Sequence, residues 1–356
     1  MKAFLAVARA AAEAGAAQLA QRPQTLAPLG IDDIGAITKS SGSDWVTDFD
    51  RRAEDAIRYV LQSYRPHDEI YGEEYGATTV EEPSGYRWSI DPLDGTTNFI
   101  RGLPHYCSSV AVEYQGQWVA AAIVAPALGR SWWASAGEGA FTAQTGRLEV
   151  GLPTDPAEPV RLGGPVLGRS GRLLASGFSY HPTRRGFQYE QLQRLLTAGE
   201  FSDMRRAGSA ALDLCMVADG TLDAYAEYGL QEYDWAAGAL IAQEAGVPVR
   251  RPAWQVSDTT PDWTLAGSLG IAHHALDVDP NHPVGRTELT GSVETADATE
   301  WIAQQTAHFP GSGDGLAIAD FHVDLVADDA TTVAVTATGP VDRVEALQHQ
   351  LETVRW

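Results

Sequence analysis

Basic residues are scarce in this chain. Lysine and arginine together number 25 against 47 aspartates and glutamates, so its 356 residues carry a formal net charge of -22. A surface of that sign repels phosphate backbones and anionic headgroups, which argues against nucleic-acid or membrane partners. Small anionic substrates stay admissible, because a bound cation reverses the field inside one cleft. Cysteine is scarcer still, with only Cys107 and Cys215, both among apolar neighbours. Two thiols cannot build a disulfide framework; they read as buried free thiols in a reducing, cytoplasmic setting. No apolar run reaches 18 residues, so no transmembrane span is expected. The apolar opening stretch is broken by Glu13 and Arg22 and reads as an amphipathic helix, not a leader.

What the chain does have is a 44% hydrophobic content, enough for a substantial core. Helical spacing is expected over residues 1–22, with Phe4, Val7, Ala8, Ala11 and Leu19 on one stripe, and again from Thr47 to Tyr64. Arg87 to Asp91 reads as a strand that stops at Pro92. The runs 107–114 and 117–125, split by Gln115-Gly116, read as a hairpin, with a further strand at 131–136. Residues 150–171, rich in proline and glycine, read as a surface connection. Strands at 173–177 and 222–225 alternate with helices at 187–196, 209–218 and from Asp234, which is placed as an N-cap. Hairpins among the strands favour a layered α/β architecture over a simple doubly wound sheet.

The pattern changes between Ala275 and Glu288. Beyond it comes strand, helix, three strands at 315–319, 321–327 and 331–337, and a last helix bearing Val344, Leu347, Leu351 and Val354. From Arg286 onward there are 12 acidic and 3 basic residues. The expected division is a main domain at 1–279 and a small α+β accessory domain at 286–356.

The strongest local signal is Asp91-Pro92-Leu93-Asp94-Gly95-Thr96-Thr97-Asn98. It sets two carboxylates three residues apart at a strand end, with a glycine that allows close backbone approach. Such a turn suits a divalent cation held by oxygens with phosphate on the following amides, and equally an Asx turn with a capped helix. Glu73-Glu74 and Asp234-Trp235-Ala236-Ala237-Gly238 are further acidic features, and spacing alone does not bring them to the octamer.

These motifs, in order with Lys39-Ser40, Asp44 to Asp50, Gly208-Ser209-Ala210-Ala211 and Asp223-Ala224-Tyr225-Ala226-Glu227, resemble the inositol monophosphatase family of the Mg²⁺-dependent, lithium-sensitive phosphatases. The resemblance covers residues 1 to about 275 and implies a five-layer α/β/α/β/α sandwich. It implies two or three Mg²⁺ ions held by Glu73, Asp91, the Leu93 carbonyl, Asp94 and Asp234. It gives Thr96, supported by Asp50, the task of orienting a metal-activated water, has Glu73 also touch a third metal or its water network, and gives the Gly95 and Thr96 backbone the phosphate. Glu227, Ser209 and Ala210 would meet the substrate, Glu227 accepting hydroxyl hydrogen bonds. The implied reaction is hydrolysis of myo-inositol 1-phosphate or a similar polyol phosphate by a cytoplasmic enzyme, expected as a homodimer. Histidinol-phosphate, fructose-1,6-bisphosphate or 3′-phosphoadenosine 5′-phosphate hydrolysis, or a non-catalytic metal-binding regulator, are the alternatives. The tail weakly resembles a small bacterial domain of unknown function. His308 and His322 read as ordinary surface or structural histidines.

Overall fold

The computed structural model describes residues 2–23, 34–38, 45–145, 158–166, 168–179, 182–197, 201–252, 263–267, 286–294, 316–318, 321–327 and 332–340. The elements begin with helix α1 (Lys2–Leu19), strands β1 (Ile37–Thr38) and β2 (Trp45–Val46), and helix α2 (Asp48–Tyr64). Strands β3 (Glu69–Gly72), β4 (Gly76–Thr78) and β5 (Tyr86–Asp94) precede the short helix α3 (Thr96–Arg101). Strands β6 (Cys107–Tyr114), β7 (Gln117–Ala125), β8 (Arg130–Ser135), β9 (Gly139–Gln144), β10 (Val160–Arg161) and β11 (Leu173–Ala175) lead to helix α4 (Pro182–Thr197). Then come β12 (Asp203–Arg205), helix α5 (Ala210–Ala218), β13 (Ala224–Tyr228), helix α6 (Glu232–Glu244), β14 (Val249–Arg250) and β15 (Trp263–Gly267). The last described strands are β16 (Arg286–Glu294), β17 (Leu316–Ile318), β18 (Phe321–Ala327) and β19 (Thr332–Pro340).

An eight-stranded sheet runs β10-β9-β8-β7-β6-β5-β3-β4, antiparallel except where β3 lies parallel to β5. A five-stranded mixed sheet runs β12-β11-β13-β15-β14. The larger sheet is apolar on both faces. Ala120, Ala122 and Val124 of β7 join a core with Ala8, Ala12, Ile57 and Leu61, whereas Ala121, Ile123 and Ala125 join one with Leu214, Trp235 and Ile241. The period-two alternation therefore feeds two cores, which is why β6 and β7 read as unbroken apolar runs. Helices α1 and α2 cover one face, α6 packs on the other, and α5 lies between α6 and the smaller sheet. Small residues set these distances. A Cβ on Gly238 would stand 2.7 Å from Leu214 Cβ, so α5 and α6 approach closely only because that position is glycine.

The expected hairpin 107–114/117–125 has the observed bounds, and both cysteines are buried and free. Strand β5 differs from expectation: it runs through Pro92 to Asp94. A register shift falls between Asp91 and Asp94, so the missing proline N–H coincides with a bulge and not with a ladder position. Helix α6 starts at Glu232, two residues before the expected cap at Asp234. Strand β13 extends to Tyr228 and carries Glu227, where a strand ending at Tyr225 was expected. The two-residue strand β10 lies inside the stretch read as a connection, and residues 150–157 and 167 of that stretch lie outside the described residues.

The chain divides into two compact units, residues 1–180 with 194–272 and residues 181–193 with 273–356. In the second, backbone pairing gives a four-stranded antiparallel sheet ordered β16-β19-β18-β17. The expected helices near Trp301 and over Val344–Val354, and the 275–288 boundary, lie outside the described residues, apart from the first residues of β16. No helix among the described residues is long and apolar enough to cross a membrane.

Candidate active site

The bulge in β5 is what gathers the first carboxylates. Asp91 pairs with Ser109 and Asp94 with Cys107, three residues on one strand against two on the other. In a regular strand residues three apart face opposite ways; the extra residue restores the phase and puts both aspartates on one side. Gly95 follows with φ 98°, and a Cβ there would lie 2.8 Å from the His105 carbonyl, so only glycine makes this turn into α3. Strand β3 lies beside β5, and the Glu73 amide just beyond it donates to the Ile90 carbonyl at 3.3 Å, next to Asp91.

Asp234 arrives from α6 as its third residue. Its Oδ2 accepts from the Gln231 amide at 2.7 Å, closing the helix start. Asp94 Oδ2 accepts from Ser209 Oγ and the Ala211 amide, both at 2.7 Å, which ties β5 to the start of α5. Asp91 Oδ1 accepts from the Leu93 amide at 3.0 Å. Asp50 closes a capping box on α2, its Oδ2 accepting from the Thr47 amide at 2.8 Å and the Thr47 hydroxyl at 2.6 Å. Its other oxygen faces the site: Thr96 Oγ1 lies 3.1 Å from both Asp50 Oδ1 and the Leu93 carbonyl.

Burial governs the electrostatics. Asp91 is held well above the ordinary carboxylate range, first by burial and then by the charges of Glu73, Asp94 and Asp234. Asp234 is likewise raised by burial and by Asp94 and Glu73. Asp94 is raised by burial to about 6 although Ser209 and Ala211 oppose the shift. Asp50 is raised to about 7, by burial and then Glu73. Among the described residues, the charges that act most on Asp91 and Asp234 are carboxylates, while on Asp94 they are Asp213, which raises it, and His105, which lowers it. Buried carboxylates without a counter-charge hold protons or a cation.

Glu227 comes from β13. It accepts from Tyr225 Oη at 2.6 Å and is raised to about 7, chiefly by burial. Any side chain at Gly177 would occupy the position of its carboxylate. Its charge reaches Asp234, so the structure brings it to the same region. Ser209 and Ala210 lie at the start of α5, and the Ser209 hydroxyl is committed to Asp94 and to capping Leu212.

Three contributors were missed in the sequence. Asn98 Nδ2 donates to the carbonyls of His105 at 2.7 Å and Ala207 at 2.8 Å, tying α3 to the Gly208 turn. It stood in the octamer, where amide chemistry alone does not reveal a bridge across 109 residues. Buried Asp213 sits 3.2 Å from His105 Nε2 and looks in sequence like any polar residue on α5. Glu54 accepts from the amides of Glu74 at 2.8 Å and Tyr75 at 3.2 Å, and so holds the loop that carries Glu73. Its i,i+4 relation to Arg58 was the available signal.

Among the described residues, no three acidic, histidine or cysteine side chains already stand in a metal-holding arrangement. Asp94 and Asp234 each commit one oxygen to internal hydrogen bonds and have a second, while Asp91 accepts from the Leu93 amide and shares a hydrogen bond with the Glu73 side chain. An all-oxygen donor set that is buried and crowded with like charges fits Mg²⁺.

The sequence profile described as the inositol monophosphatase family matches residues 1–289. The chain belongs to this family. Among its inositol monophosphatase relatives, Inositol-1-monophosphatase of Mycobacterium leprae is 39% identical over 70% of this chain and 82% of that protein. Inositol-1-monophosphatase SuhB of Mycobacterium tuberculosis strain H37Rv is 43% identical over 61% and 72%. The solved extragenic suppressor protein suhB of Bartonella henselae superposes with a TM-score of 0.61 at 30% identity, covering 77% of this chain and 98% of that one. Membership implies the Mg²⁺ dependence of these phosphatases, in agreement with the donor set.

Proposed function

We propose that this chain is a Mg²⁺-dependent phosphomonoesterase acting on myo-inositol 1-phosphate or a closely similar polyol phosphate. The observation that carries the reading is the convergence of Asp91, Asp94 and Asp234, all buried and raised, with Asp94 acting on both of the others, beside the Thr96–Asp50 pair. Relatives named Inositol-1-monophosphatase support the substrate class.

In this reading Glu73, Asp91, Asp94, Asp234 and the Leu93 carbonyl hold two or three ions. When bound, Mg²⁺ supplies positive charge that offsets phosphate repulsion, acidifies water and stabilises the leaving alkoxide. Asp50 accepts from the Thr96 hydroxyl and fixes its oxygen as an acceptor aimed at the attacking water. The Gly95 and Thr96 amides, at the start of α3, receive phosphate oxygens. Glu227, braced by Tyr225, accepts from paired hydroxyls of the polyol, a role that needs the ionised form. Ser209 serves through Asp94, holding that carboxylate on its line.

Phosphate release with Mg²⁺ from inositol 1-phosphates, fructose 1,6-bisphosphate and histidinol phosphate tests the assignment. Turnover of the inositol phosphates, abolished by chelation, is expected. Strong turnover of histidinol phosphate with none of the inositol phosphates would overturn the substrate class. The five-layer arrangement, the 1–279 and 286–356 division and the homodimer belong to the same proposal. A chain ended at Asp279 should keep its activity, and a folded, metal-binding but inactive truncation would give the tail a part in the site.

A further inference from the structure

Arg87 lies four residues before Asp91 on β5, and Glu232 lies two residues before Asp234 at the start of α6. Arg87 Nη1 and Nη2 donate to Glu232 Oε1 and Oε2 at 2.7 and 2.8 Å, while Nε reaches Glu113 Oε1 at 3.3 Å. A two-bond fork fixes both separation and rotation, which a single contact does not. The same guanidinium stands 6.0 Å from the ring centres of both Tyr71 and Trp118. Tyr71 packs 6.0 Å from Tyr233, and Trp118 meets Trp235 edge-on at 5.9 Å. The residues on either side of Asp234 are thus braced from one point on the strand that carries Asp91 and Asp94.

We propose that the Arg87–Glu232 fork is a positioning device that sets the distance of Asp234 from the Asp91–Asp94 pair and thereby the affinity for the divalent cation. It acts on ligand placement and touches neither substrate nor reacting atoms. The inference rests on the metal site proposed above. Glu232→Gln is the cleanest probe. It keeps the side-chain volume and removes the charge, and Arg87 retains Glu113.

Mg²⁺ binding to the full chain is measured by calorimetry, alongside the Mg²⁺ concentration for half-maximal activity and the melting temperature of the metal-free protein. Glu232→Gln should weaken Mg²⁺ binding about 10- to 100-fold, the range for groups that orient metal ligands. Activity at saturating Mg²⁺ should stay within about threefold of wild type, because the fork is not part of the reacting constellation. Arg87→Lys, which keeps the charge but not the fork, should fall between. The double variant Arg87→Lys/Glu232→Gln should bind no worse than the weaker single one. Unchanged Mg²⁺ affinity in Glu232→Gln, with or without a lower melting temperature, overturns the clamp, as do additive losses in the double variant. A wild-type chain that binds no Mg²⁺ overturns the metal reading and the clamp with it.

Discussion

Two buried acids, Glu54 and Asp91, solve the same problem in opposite ways. Glu54 on α2 is fully buried, but Arg58 one turn later lies 2.7 Å away and the Glu74 and Tyr75 amides complete its shell. Arg58 itself bonds the Gly76 carbonyl at 2.6 Å and Thr78 Oγ1 at 2.5 Å. Asp91 is as deeply buried, yet its charged neighbours are Glu73, Asp94 and Asp234. The first acid is paired with a guanidinium; the charges that act most on the second are other carboxylates. Burial of a carboxylate is therefore no mark of function by itself.

The largest effect that separates the two groups is on rate. Asp91→Asn should lower kcat/KM at least about 100-fold, as loss of a major electrostatic contributor does. It should also raise the melting temperature of the metal-free protein, because a like charge leaves the cluster. Activity near wild type would reject the site, and a lower melting temperature would show that Asp91 has a counter-charge after all.

Glu54→Gln should do the reverse. Breaking a buried pair leaves Arg58 uncompensated and costs about 3–5 kcal/mol, readable by denaturant unfolding. Stability unchanged to within about 0.5 kcal/mol would erase the contrast.

A pH series sharpens the comparison next. Asp94 is raised to about 6, and Asp50 and Glu227 to about 7, so the folded metal-free chain keeps protons that the unfolded chain has released. Their contribution to stability is whole below the unfolded pKa of about 4 and is lost as pH rises toward about 7. Metal binding needs the ionised forms. The gap in melting temperature between Mg²⁺-loaded and metal-free protein should widen from about pH 5 to about pH 7.5. A constant gap would show that these groups do not titrate against the metal.

The smallest effect belongs to Glu227. Glu227→Gln should leave turnover of p-nitrophenyl phosphate within about twofold while reducing discrimination among polyol phosphates by about tenfold, the worth of one charged hydrogen bond. Equal losses on every substrate would remove it from hydroxyl recognition.

The strands β6 and β7, helices α1 and α2 and the buried thiols were all legible, as was the carboxylate octamer. Those features are local: apolar period, turn residues and caps restrict φ and ψ over a few residues at a time. Family resemblance carried the gathering of Glu73 and Asp234 to the octamer; spacing did not. The bulge stayed hidden because Pro92 reads as a strand stop, and only pairing with β6 reveals that the strand continues.

By itself, then, the sequence determined which segments become helices and strands and which positions carry acid, amide or glycine. The tertiary structure decided which acids meet, that Glu54 finds a cation while Asp91 finds further carboxylates, and that Arg87 reaches 145 residues along the chain to Glu232. Side-chain identity and backbone preference are set residue by residue. Desolvation and charge coupling depend on every group that packing brings within a few ångströms, and a linear pattern does not contain those distances.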